Sequence, residues 1–368
     1  MIEYIGKYNK AKITIDNVEE NVVNQLYTLL NNPAFSNSNI SIMPDVHVGS
    51  GAMVGFTMTE NDYAVPAVLG SDLGCGVLAI NLGNIKPKFE KLDKYINEHI
   101  PSGPKINEHS VISEFDFKDL FKKIDYTENE ALRAIGTMGG GNHFICLEQH
   151  KKDIWLLVHS GSRHLGLAIS DFYKKKAKKH MKDVYHAGAF YQLEYLENED
   201  KQNYFDDVEI ALKYAKLNRK MILKQIVEEF YHLQLNKLEI VESVHNYYDK
   251  NDKIIRKGSI SAHPGERVII PINRSFGSLF ATGKSTEEFN FSAPHGAGRK
   301  FNRSDSKNRW SLEEYQHQMK NVFSTTVSKK TMDESPMAYK NPKFILENIK
   351  ELVDVDFVAK EIYSFKAN

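Results

Sequence analysis

Positions 70–76 of the chain read GSDLGCG, and the interpretation of the whole sequence begins with this short stretch. It contains Cys75, one of only two cysteines in 368 residues, three positions after the carboxylate of Asp72. Side chains three positions apart in a loop can point the same way, and glycine lets the backbone approach a ligand closely. A buried cysteine is often only a small apolar residue. The neighbouring carboxylate favours a metal-binding role for Cys75 instead.

Seven loops of this kind, rich in glycine, histidine or both, occur along the chain. They are PDVHVGSG (44–51), GSDLGCG (70–76), GTMGGGNHF (136–144), VHSGSRHLG (158–166), VHNYYD (244–249), RKGSISAHPGE (256–266) and PHGAGR (294–299). The histidines His143, His159 and His245 each lie at or beside the end of a β-type run. Together with Asp72 and Cys75 they form a mixed donor set that suits Mn, Zn, Co or Ni rather than calcium. Because a thiolate can bridge two ions, we expect a centre that can hold two.

Three of these loops also suit a phosphate group. The stretches GGGN, SGSR and HGAGR can present successive backbone N–H groups to an anion, and Arg163 and Arg299 add guanidinium groups that bind phosphate in a bidentate manner. The sequence contains neither a Walker A motif nor a GxGxxG motif in its usual strand-to-helix setting. We therefore do not expect an ordinary P-loop or dinucleotide-binding fold.

His295 differs from the candidate ligands because it lies between Pro294 and Gly296, four residues before Arg299. A neutral imidazole nitrogen can attack a phosphorus atom, and protonated imidazole leaves readily afterwards. His295 is therefore a candidate nucleophile. A histidine that only occupies a turn is the alternative that this motif, taken alone, leaves open.

The composition indicates an ordinary globular protein, with 41% apolar and 26% charged residues. A formal net charge of zero argues against indiscriminate binding of nucleic acid but allows local basic patches. The segment DFYKKKAKKHMK (171–182) is such a patch, and it is either a solvated helix face or a contact for an RNA backbone. The sequence has no bilayer-spanning apolar run, and its start lacks the apolar core of a signal peptide. We expect a cytoplasmic protein with no membrane partner.

Sequence patterns predict an α+β fold with a β-rich body. Helical patterns cover about 17–31, 165–182, 206–236, 311–323 and 342–353, whereas VLAINL, HFICLE, IWLLVH and RVIIPI read as strands beside glycine-rich turns. Ser311 and Glu314 have the spacing of a capping box. No linker or internal repeat interrupts the chain, so we expect one domain over residues 1–368, with a helical insertion at about 165–240.

In this order, the motifs GSDLGCG, GTMGGGNHF, VHSGSR, HN, RKG, HGAGR and the terminal SFKAN resemble those of the RtcB-type RNA ligases. Each motif is weak alone, but the ordered set is specific and covers nearly the whole chain. The resemblance implies an RtcB-like fold and a reaction that joins an RNA 3′-phosphate or 2′,3′-cyclic phosphate to a 5′-hydroxyl. It also implies GTP as co-substrate, two manganese ions as cofactors and broken RNA as the partner. We expect a monomer.

The resemblance implies roles for individual residues. His295 would take GMP from GTP, while Asp45 and His47 would support the site. The metal ligands would be Asp72, Cys75, His143, His159 and His245, and the phosphates would contact Arg163, Lys257 and Arg299. The positions implied to contact the nucleotide are Asn142, Phe144, Cys146, Glu148, Asn246, Ser275, Ala297, Gly298, Tyr339 and Lys366.

Two loops that would contact the nucleotide depart from the family pattern. The usual NHFIE or NHFLE is NHFICLE here, which puts Cys146 at the usual glutamate position and Glu148 two residues later. Residues two apart in a strand share a face, so Glu148 can take over that role. The usual IPGSMG is IPINRSFGS, which adds Arg274 and Phe276. The sequence therefore reads as a divergent branch of the family.

Two other functions agree with the same residues. A binuclear metal-dependent phosphoesterase would use the same ligands to activate water, with His295 as a transition-state donor only. A non-enzymatic module that binds RNA ends or metal would need neither His295 nor Lys366. We expect the ligase, acting in RNA repair or tRNA splicing.

Overall fold

The structure is a computed structural model that describes residues 1–185 and 193–367. Residues 186–192, which fall within the predicted helical insertion, and Asn368 of the terminal SFKAN lie outside the described residues. Helices and strands are mixed along the chain, which confirms the predicted α+β class.

The α-helices are of very different lengths, and the two longest follow one another. In the described residues they are α1 (Glu20–Leu30), α2 (Pro66–Leu69), α3 (Phe89–His99), α4 (Glu128–Ala134), α5 (Arg163–Tyr185), α6 (Asn198–Lys224), α7 (Arg303–Ser306), α8 (Leu312–Gln318) and α9 (Pro342–Asn348). A π-helical turn, Gln225–Phe230, continues α6. None of these described helices is both long enough and apolar enough to cross a membrane.

The strands are mostly short. They are β1 (Ile2–Ile5), β2 (Lys10–Ile13), β3 (Ile40–His47), β4 (Val54–Thr59), β5 (Tyr63–Ala64), β6 (Gly76–Asn81), β7 (Phe144–His150), β8 (Asp153–Ser160), β9 (Leu196–Glu197), β10 (Ile240–Val244), β11 (Asn246–Asp249), β12 (Ile254–Lys257), β13 (Ser259–Ser261), β14 (Arg267–Asn273), β15 (Gly277–Gly283), β16 (Ser292–Pro294) and β17 (Val353–Lys366). One sheet has the order β1-β2-β3-β4-β12-β11, and a larger one has the order β10-β6-β8-β7-β17-β15-β14. The pairs β13–β16 and β5–β9 form two small sheets.

The seven-stranded sheet curls until its two edge strands approach each other. The backbone N–H of Ile269 in β14 donates a hydrogen bond to the Ser243 hydroxyl in β10 at 3.0 Å. The enclosed face carries a buried apolar cluster that includes Leu157, Phe280 and Ala359, contributed by three different strands. This near-barrel holds the strands whose ends carry most of the predicted site residues.

Helices α5 and α6 pack beside the sheets and position part of the site. In α5, buried residues recur every four positions, at Leu165, Ile169, Tyr173, Ala177 and Met181, as expected for a helix with one apolar face. The end of α6 packs with the outer face of β6 and β8 in a second apolar cluster. The predicted helices at 17–31 and 165–182 are therefore confirmed, with shifts of a few residues at their ends.

Three predicted helices differ from the structure in length. The pattern at 206–236 belongs to a helix that already begins at Asn198. The pattern at 311–323 is an α-helix only over Leu312–Gln318. The pattern at 342–353 ends as a helix at Asn348, and the long final strand begins at Val353. The capping box of Ser311 and Glu314 is present as predicted.

Candidate active site

Five buried or half-buried side chains meet where loops from different strands converge. Sγ of Cys75 lies 3.4 Å from Nε2 of His143 and 3.1 Å from Nε2 of His159. Nε2 of His159 lies 3.3 Å from Nε2 of His245, and Nε2 of His143 lies 3.3 Å from Oδ2 of Asp72. The structure thus brings together all the residues predicted as metal ligands, and we call them the donor cluster.

The distances in the donor cluster fit side chains that share divalent ions. A tetrahedral ion about 2.3 Å from sulfur and about 2.0 Å from nitrogen holds the two ligand atoms about 3.5 Å apart. The thiol and imidazole atoms are separated by 3.1 and 3.4 Å. The mixture of thiol, imidazole and carboxylate is also what borderline transition-metal ions prefer.

The protonation states of the donor cluster also fit a metal site. Burial, reinforced by the carboxylate of Asp72, raises the pKa of the Cys75 thiol. Such a thiol ionises readily only when a cation stabilises the thiolate. Burial and the neighbouring imidazoles lower the pKa of His159, and burial followed by the nearby His295 lowers that of His245. Both rings are therefore neutral at neutral pH, which is the form that binds metal.

Backbone carbonyl groups orient the imidazoles of the donor cluster. Nδ1 of His143 donates to the carbonyl oxygen of Met138 at 2.9 Å, and Nδ1 of His159 donates to that of Asn142 at 3.1 Å. Each bond fixes the tautomer that leaves the Nε2 lone pair for a ligand. A Cβ at Gly161 would lie 2.3 Å from Oδ1 of Asp72, so the cluster needs glycine there.

His295 lies beside the donor cluster but is held by a different partner. Its Nδ1 donates to Oδ2 of the fully buried Asp45 at 2.7 Å, and its backbone N–H donates to the same oxygen at 3.2 Å. With Nδ1 protonated, the lone pair of the neutral ring is on Nε2. The ring centres of His295 and His245 are 4.7 Å apart. A potential nucleophile therefore adjoins the cluster without belonging to it.

The HGAGR loop that carries His295 is pressed against strand β3. Gly298 has a positive φ of 71°, and a Cβ there would lie 2.0 Å from the carbonyl oxygen of Asp45. His47 is the half-buried last residue of the same strand, and removal from water lowers its pKa to about 4. His47 is thus neutral, and its Nδ1 donates to the Asp45 carbonyl at 3.0 Å. This packing explains why the loop needs a glycine before Arg299.

One wall of the cavity around His295 is built on the buried carboxylate of Glu334. Lys366 forms a short ion pair with it, and Nη1 of Arg303 lies 2.5 Å and Nη1 of Arg299 3.6 Å from its Oε1. The Tyr339 hydroxyl donates to its Oε2 at 2.8 Å. Burial opposes ionisation of Glu334, but the cations outweigh it and hold its pKa at about 2. We call Glu334 and these three cations the cationic wall. Arg303 in addition pairs with the carboxylate of Asp333 at 2.8 Å.

Two lysine side chains that line the cavity with His295 are buried, and burial lowers the pKa of each. Burial lowers the pKa of Lys366 to about 8, so it remains largely protonated at neutral pH, in agreement with its ion pair. Burial, followed by repulsion from Lys174, lowers the pKa of Lys257 to about 7. The Lys257 ammonium donates to the carbonyl oxygen of Ser50 at 2.5 Å. Its charge state is therefore sensitive to an anion placed beside it.

A cavity of about 1040 Å³ joins these groups. Its lining includes, from the predicted site residues, Asn142, Phe144, Glu148, His159, His245, Asn246, Lys257, His295, Ala297, Gly298, Arg299, Tyr339 and Lys366. Asp45, Asp72, Cys75 and His143 lie behind this lining, in contact with the residues described above. The predicted residues thus form one continuous site, except for three.

Arg163, Ser275 and Cys146 are not part of the cavity lining. The Arg163 guanidinium donates to the Thr137 hydroxyl at 2.9 Å and to the Gly103 carbonyl at 2.7 Å. Ser275 is exposed in the turn between β14 and β15. Cys146 is fully buried below the cavity surface, with its Sγ 3.9 Å from Oε1 of Glu148.

Arg303, Glu334 and Glu361 are among the charged residues of the cavity lining that sequence reasoning did not find. For Glu334 the sequence offers one signal, because this residue lies five positions before the predicted site residue Tyr339 in the stretch DESPMAYKNP. Arg303 follows HGAGR closely, in the stretch KFNR, but it belongs to none of the motifs of the sequence analysis. Glu361 lies in the long final strand, and no local pattern distinguishes it from its exposed neighbours.

Comparison with known proteins identifies the family. The family model described as "tRNA-splicing ligase RtcB" matches residues 25–127 and 113–367. The chain belongs to the RtcB family. It is 28% identical to the RNA-splicing ligase RtcB of Escherichia coli (strain K12), with 95% of each chain covered. It is 25% identical to the tRNA-splicing ligase RtcB of Nanoarchaeum equitans, with 87% of this chain and 86% of that one covered.

The RtcB family is a family of RNA-splicing ligases, and this chain is one of its members. The expected resemblance is thereby confirmed, and so is the RtcB-like fold. The donor cluster offers a metal site of the kind that such a ligase would need.

Proposed function

We propose that this chain joins RNA 3′-phosphate or 2′,3′-cyclic phosphate ends to 5′-hydroxyl ends, with GTP and manganese, through a guanylate bound to His295. The observation that carries the proposal is the position of His295. It lies against the donor cluster at His245, and its Nδ1 is held by the buried Asp45 at 2.7 Å. This arrangement favours nucleophilic attack by Nε2.

The first step would form the histidine–guanylate. Nε2 of His295 would bond to the α-phosphorus of GTP while the bond to the β-phosphate oxygen breaks and pyrophosphate leaves. Asp45 would keep Nδ1 protonated and stabilise the positive charge that develops on the ring. The cationic wall would hold the phosphates, because the three positive charges of Lys366, Arg299 and Arg303 exceed the two negative charges of Glu334 and Asp333.

The next steps would return His295 to its free form. An oxygen of the RNA 3′-phosphate would attack the guanylate phosphorus and release the imidazole. The 5′-hydroxyl of the second RNA end would then attack the activated 3′-phosphorus and release GMP. A 2′,3′-cyclic phosphate would first have to be opened by water to the 3′-phosphate.

The donor cluster would hold manganese through Asp72, Cys75, His143, His159 and His245. When bound there, the metal would supply positive charge that neutralises phosphate oxygens as negative charge develops on them. Lys257, on the same cavity wall as His245 and Asn246, would add a further cation for a phosphate. The solvated RNA ends would enter from the open side of the cavity.

The test is covalent labelling. The protein is incubated with GTP labelled at the α-phosphate and with manganese, then denatured, and the label should be acid-labile and alkali-stable as expected for phosphohistidine chemistry. The variant His295→Ala should carry no label. The matched control is His263→Ala, because Nε2 of His263 also donates to a carboxylate, Asp252, at 2.7 Å but does not line the cavity.

Two results would contradict the proposal. One is a wild-type protein that takes no label from any nucleotide. The other is label that persists in His295→Ala. Turnover of phosphate esters without nucleotide, together with absence of label, would instead support the metal-dependent phosphoesterase.

A further inference from the structure

The basic segment 171–182 forms an exposed face of helix α5. We call this surface the lysine face, and its members are Lys175, Lys178, Lys179 and Lys182, all of which are exposed. They lie on the side of the helix opposite to the stripe of buried residues that starts at Leu165. The same side chains are thus free to contact a partner while the helix stays packed in the core.

The charges of the lysine face are not neutralised within the protein. Carboxylates pair with the flanking Lys174 and Lys176, at 3.9 and 2.6 Å, but in the part of the chain that the structure describes none pairs with a member of the lysine face. Like charges four positions apart on a helix repel each other. The face therefore costs stability, in a chain whose formal net charge is zero.

Helix α5 is joined to the cavity by the short helix α2. Leu69 of α2 belongs to the same apolar cluster as Leu165 and Ile169 of α5, so the two helices pack together. Helix α2 ends at Gly70, and a Cβ at that position would lie 3.5 Å from Nζ of Lys257. Lys257 lines the cavity together with His245 and His295. The first half of α5 is thus separated from this cavity wall by one helix of four residues.

Lys174 connects Lys257 with the lysine face. Burial, followed by the positive charge of Lys174, lowers the pKa of Lys257, so the two cations lie close enough to repel each other. Lys178 and Lys182 follow Lys174 at intervals of four residues, or about 6 Å along the helix axis. That interval is close to the distance between successive phosphates of an extended RNA strand. A row of cations therefore leads from the cavity along α5.

The composition of the segment favours phosphate groups as the partner. Every exposed residue between positions 171 and 182 is a lysine, except Asp171. The exposed side lacks the large apolar residues that would insert into a lipid surface, and the apolar side is already buried in the protein. Lysine binds phosphates as a point charge and reads no base sequence. The face therefore suits the backbone of a nucleic acid.

We infer that the lysine face, together with Lys174, binds the phosphate backbone of a single-stranded RNA whose end lies in the cavity. The protein would then hold several nucleotides beyond the end that reacts, without regard to their bases. The inference rests on the proposed function, because it takes this strand to be the RNA that is joined. It assigns to RNA the segment for which the sequence left a solvated helix face as the alternative.

The test compares RNA binding by the wild type and by an α5 variant with Lys175→Gln, Lys178→Gln and Lys182→Gln. Fluorescence anisotropy measures the affinity for a 3′-phosphorylated RNA of about 12 nucleotides, and for a trinucleotide with the same end, with manganese and without GTP. The variant should bind the longer RNA about 10-fold more weakly. The slope of log affinity against log salt concentration should fall by about 2. The trinucleotide is too short to reach the face, so its affinity should not change.

The matched control is an α6 variant with Lys216→Gln, Lys220→Gln and Lys224→Gln. These three lysines are also exposed on a long helix, they do not line the cavity, and none has a carboxylate partner among the described residues. The α6 variant should keep the wild-type affinity and the wild-type salt slope for the longer RNA. Thermal midpoints show whether both variants are folded.

Several results would overturn the inference. One is an α5 variant with wild-type affinity and salt slope for the longer RNA. Another is an equal loss in the α6 variant, which would mean that positive charge anywhere on the surface attracts RNA. A loss that is as large for the trinucleotide would place these lysines at the RNA end. Loss of binding to polyglutamate with unchanged RNA binding would assign the face to an acidic protein.

The two proposals fail in different ways. If no nucleotide labels the wild type, the proposed function fails, but the comparison of the two RNA lengths still decides whether the lysine face binds RNA. If GTP labels His295 and the α5 variant binds the longer RNA as the wild type does, only the present inference fails.

Discussion

The two ends of the cavity are built in different ways. At the histidine end, the donor cluster and His295 come from short motifs in which glycine or asparagine lies within two residues of the functional side chain. At the glutamate end, the carboxyl pair of Glu148 and Glu361 lies within strands, and the two residues meet only because β7 pairs with β17. The histidine end is thus recognisable from local sequence, whereas the glutamate end depends on pairing between distant segments.

The largest effect is expected at the histidine end, from the change Cys75→Ser. Loss of a thiolate from the donor cluster should lower manganese or zinc affinity by more than the roughly 10–100-fold that outer partners typically contribute. Covalent labelling should fall to background. Metal content after dialysis, measured by elemental mass spectrometry, tests this expectation.

Cys146→Ser is the paired control, because Cys146 is equally buried but belongs to the glutamate end. It should keep the wild-type metal content. Equal metal content in both serine variants would show that the donor cluster is not the metal site. Loss of metal in the Cys146 variant alone would move the metal site to the other end.

The second effect separates nucleophile positioning from metal binding. Asp45→Asn should slow histidine labelling on the order of 10³-fold, because an amide supports the imidazolium form poorly and can favour the wrong tautomer. Metal content should stay constant, since Asp45 contacts His295 and not the donor cluster. The labelling rate is measured from reactions that are stopped at successive times. The control Asp252→Asn alters the pair of Asp252 with His263 and should leave the labelling rate unchanged.

The third effect concerns stability at the glutamate end. Burial raises the pKa of Glu361 from 4.5 to about 7. The unfolded chain ionises this group above pH 4.5 but the folded chain only near pH 7, so stability is lost as pH rises through this window. Glu361→Gln removes that loss and should add about 3 kcal/mol to the free energy of unfolding at pH 8, with little change at pH 4.

Urea unfolding at the two pH values measures this difference. Asp356→Asn should show no comparable pH dependence, because its carboxylate is exposed. A Glu361→Gln variant that is less stable than wild type at pH 8 would mean that the carboxyl pair supports the fold. The contrast between the two ends of the cavity would then disappear.

The smallest effect is expected for Ser275→Ala. Ser275 was predicted to contact the nucleotide but is exposed in a turn outside the cavity lining. The free energy of unfolding should change by less than about 0.5 kcal/mol, as for most surface substitutions. The rate of labelling with GTP should equal that of the wild type, and a clear decrease would place this turn in the nucleotide site.

The α+β class could be predicted from local sequence patterns, and the donor cluster could be predicted because each of its members belongs to a short motif, although the members are spread over positions 72 to 245. Ser275 and Arg163 were predicted to contact the nucleotide and a phosphate, and both lie outside the cavity lining. Glu361 and Glu334 were not predicted, because their main partners, Glu148 and Lys366, lie more than 30 positions away in the chain.

The bulge between Glu361 and Tyr363 gives β17 one residue more than β7 between Glu361 and Lys366. These two residues are five positions apart, whereas their partners Glu148 and Phe144 are four apart, and for this reason Glu361 and Lys366 face the same cavity. One residue inserted into β7 between Phe144 and Glu148 would let the two strands pair without a bulge and would turn one side chain of each pair toward the outer face of the sheet. Such a protein would contain every functional residue type and yet be unable to present Glu361 and Lys366 to one cavity.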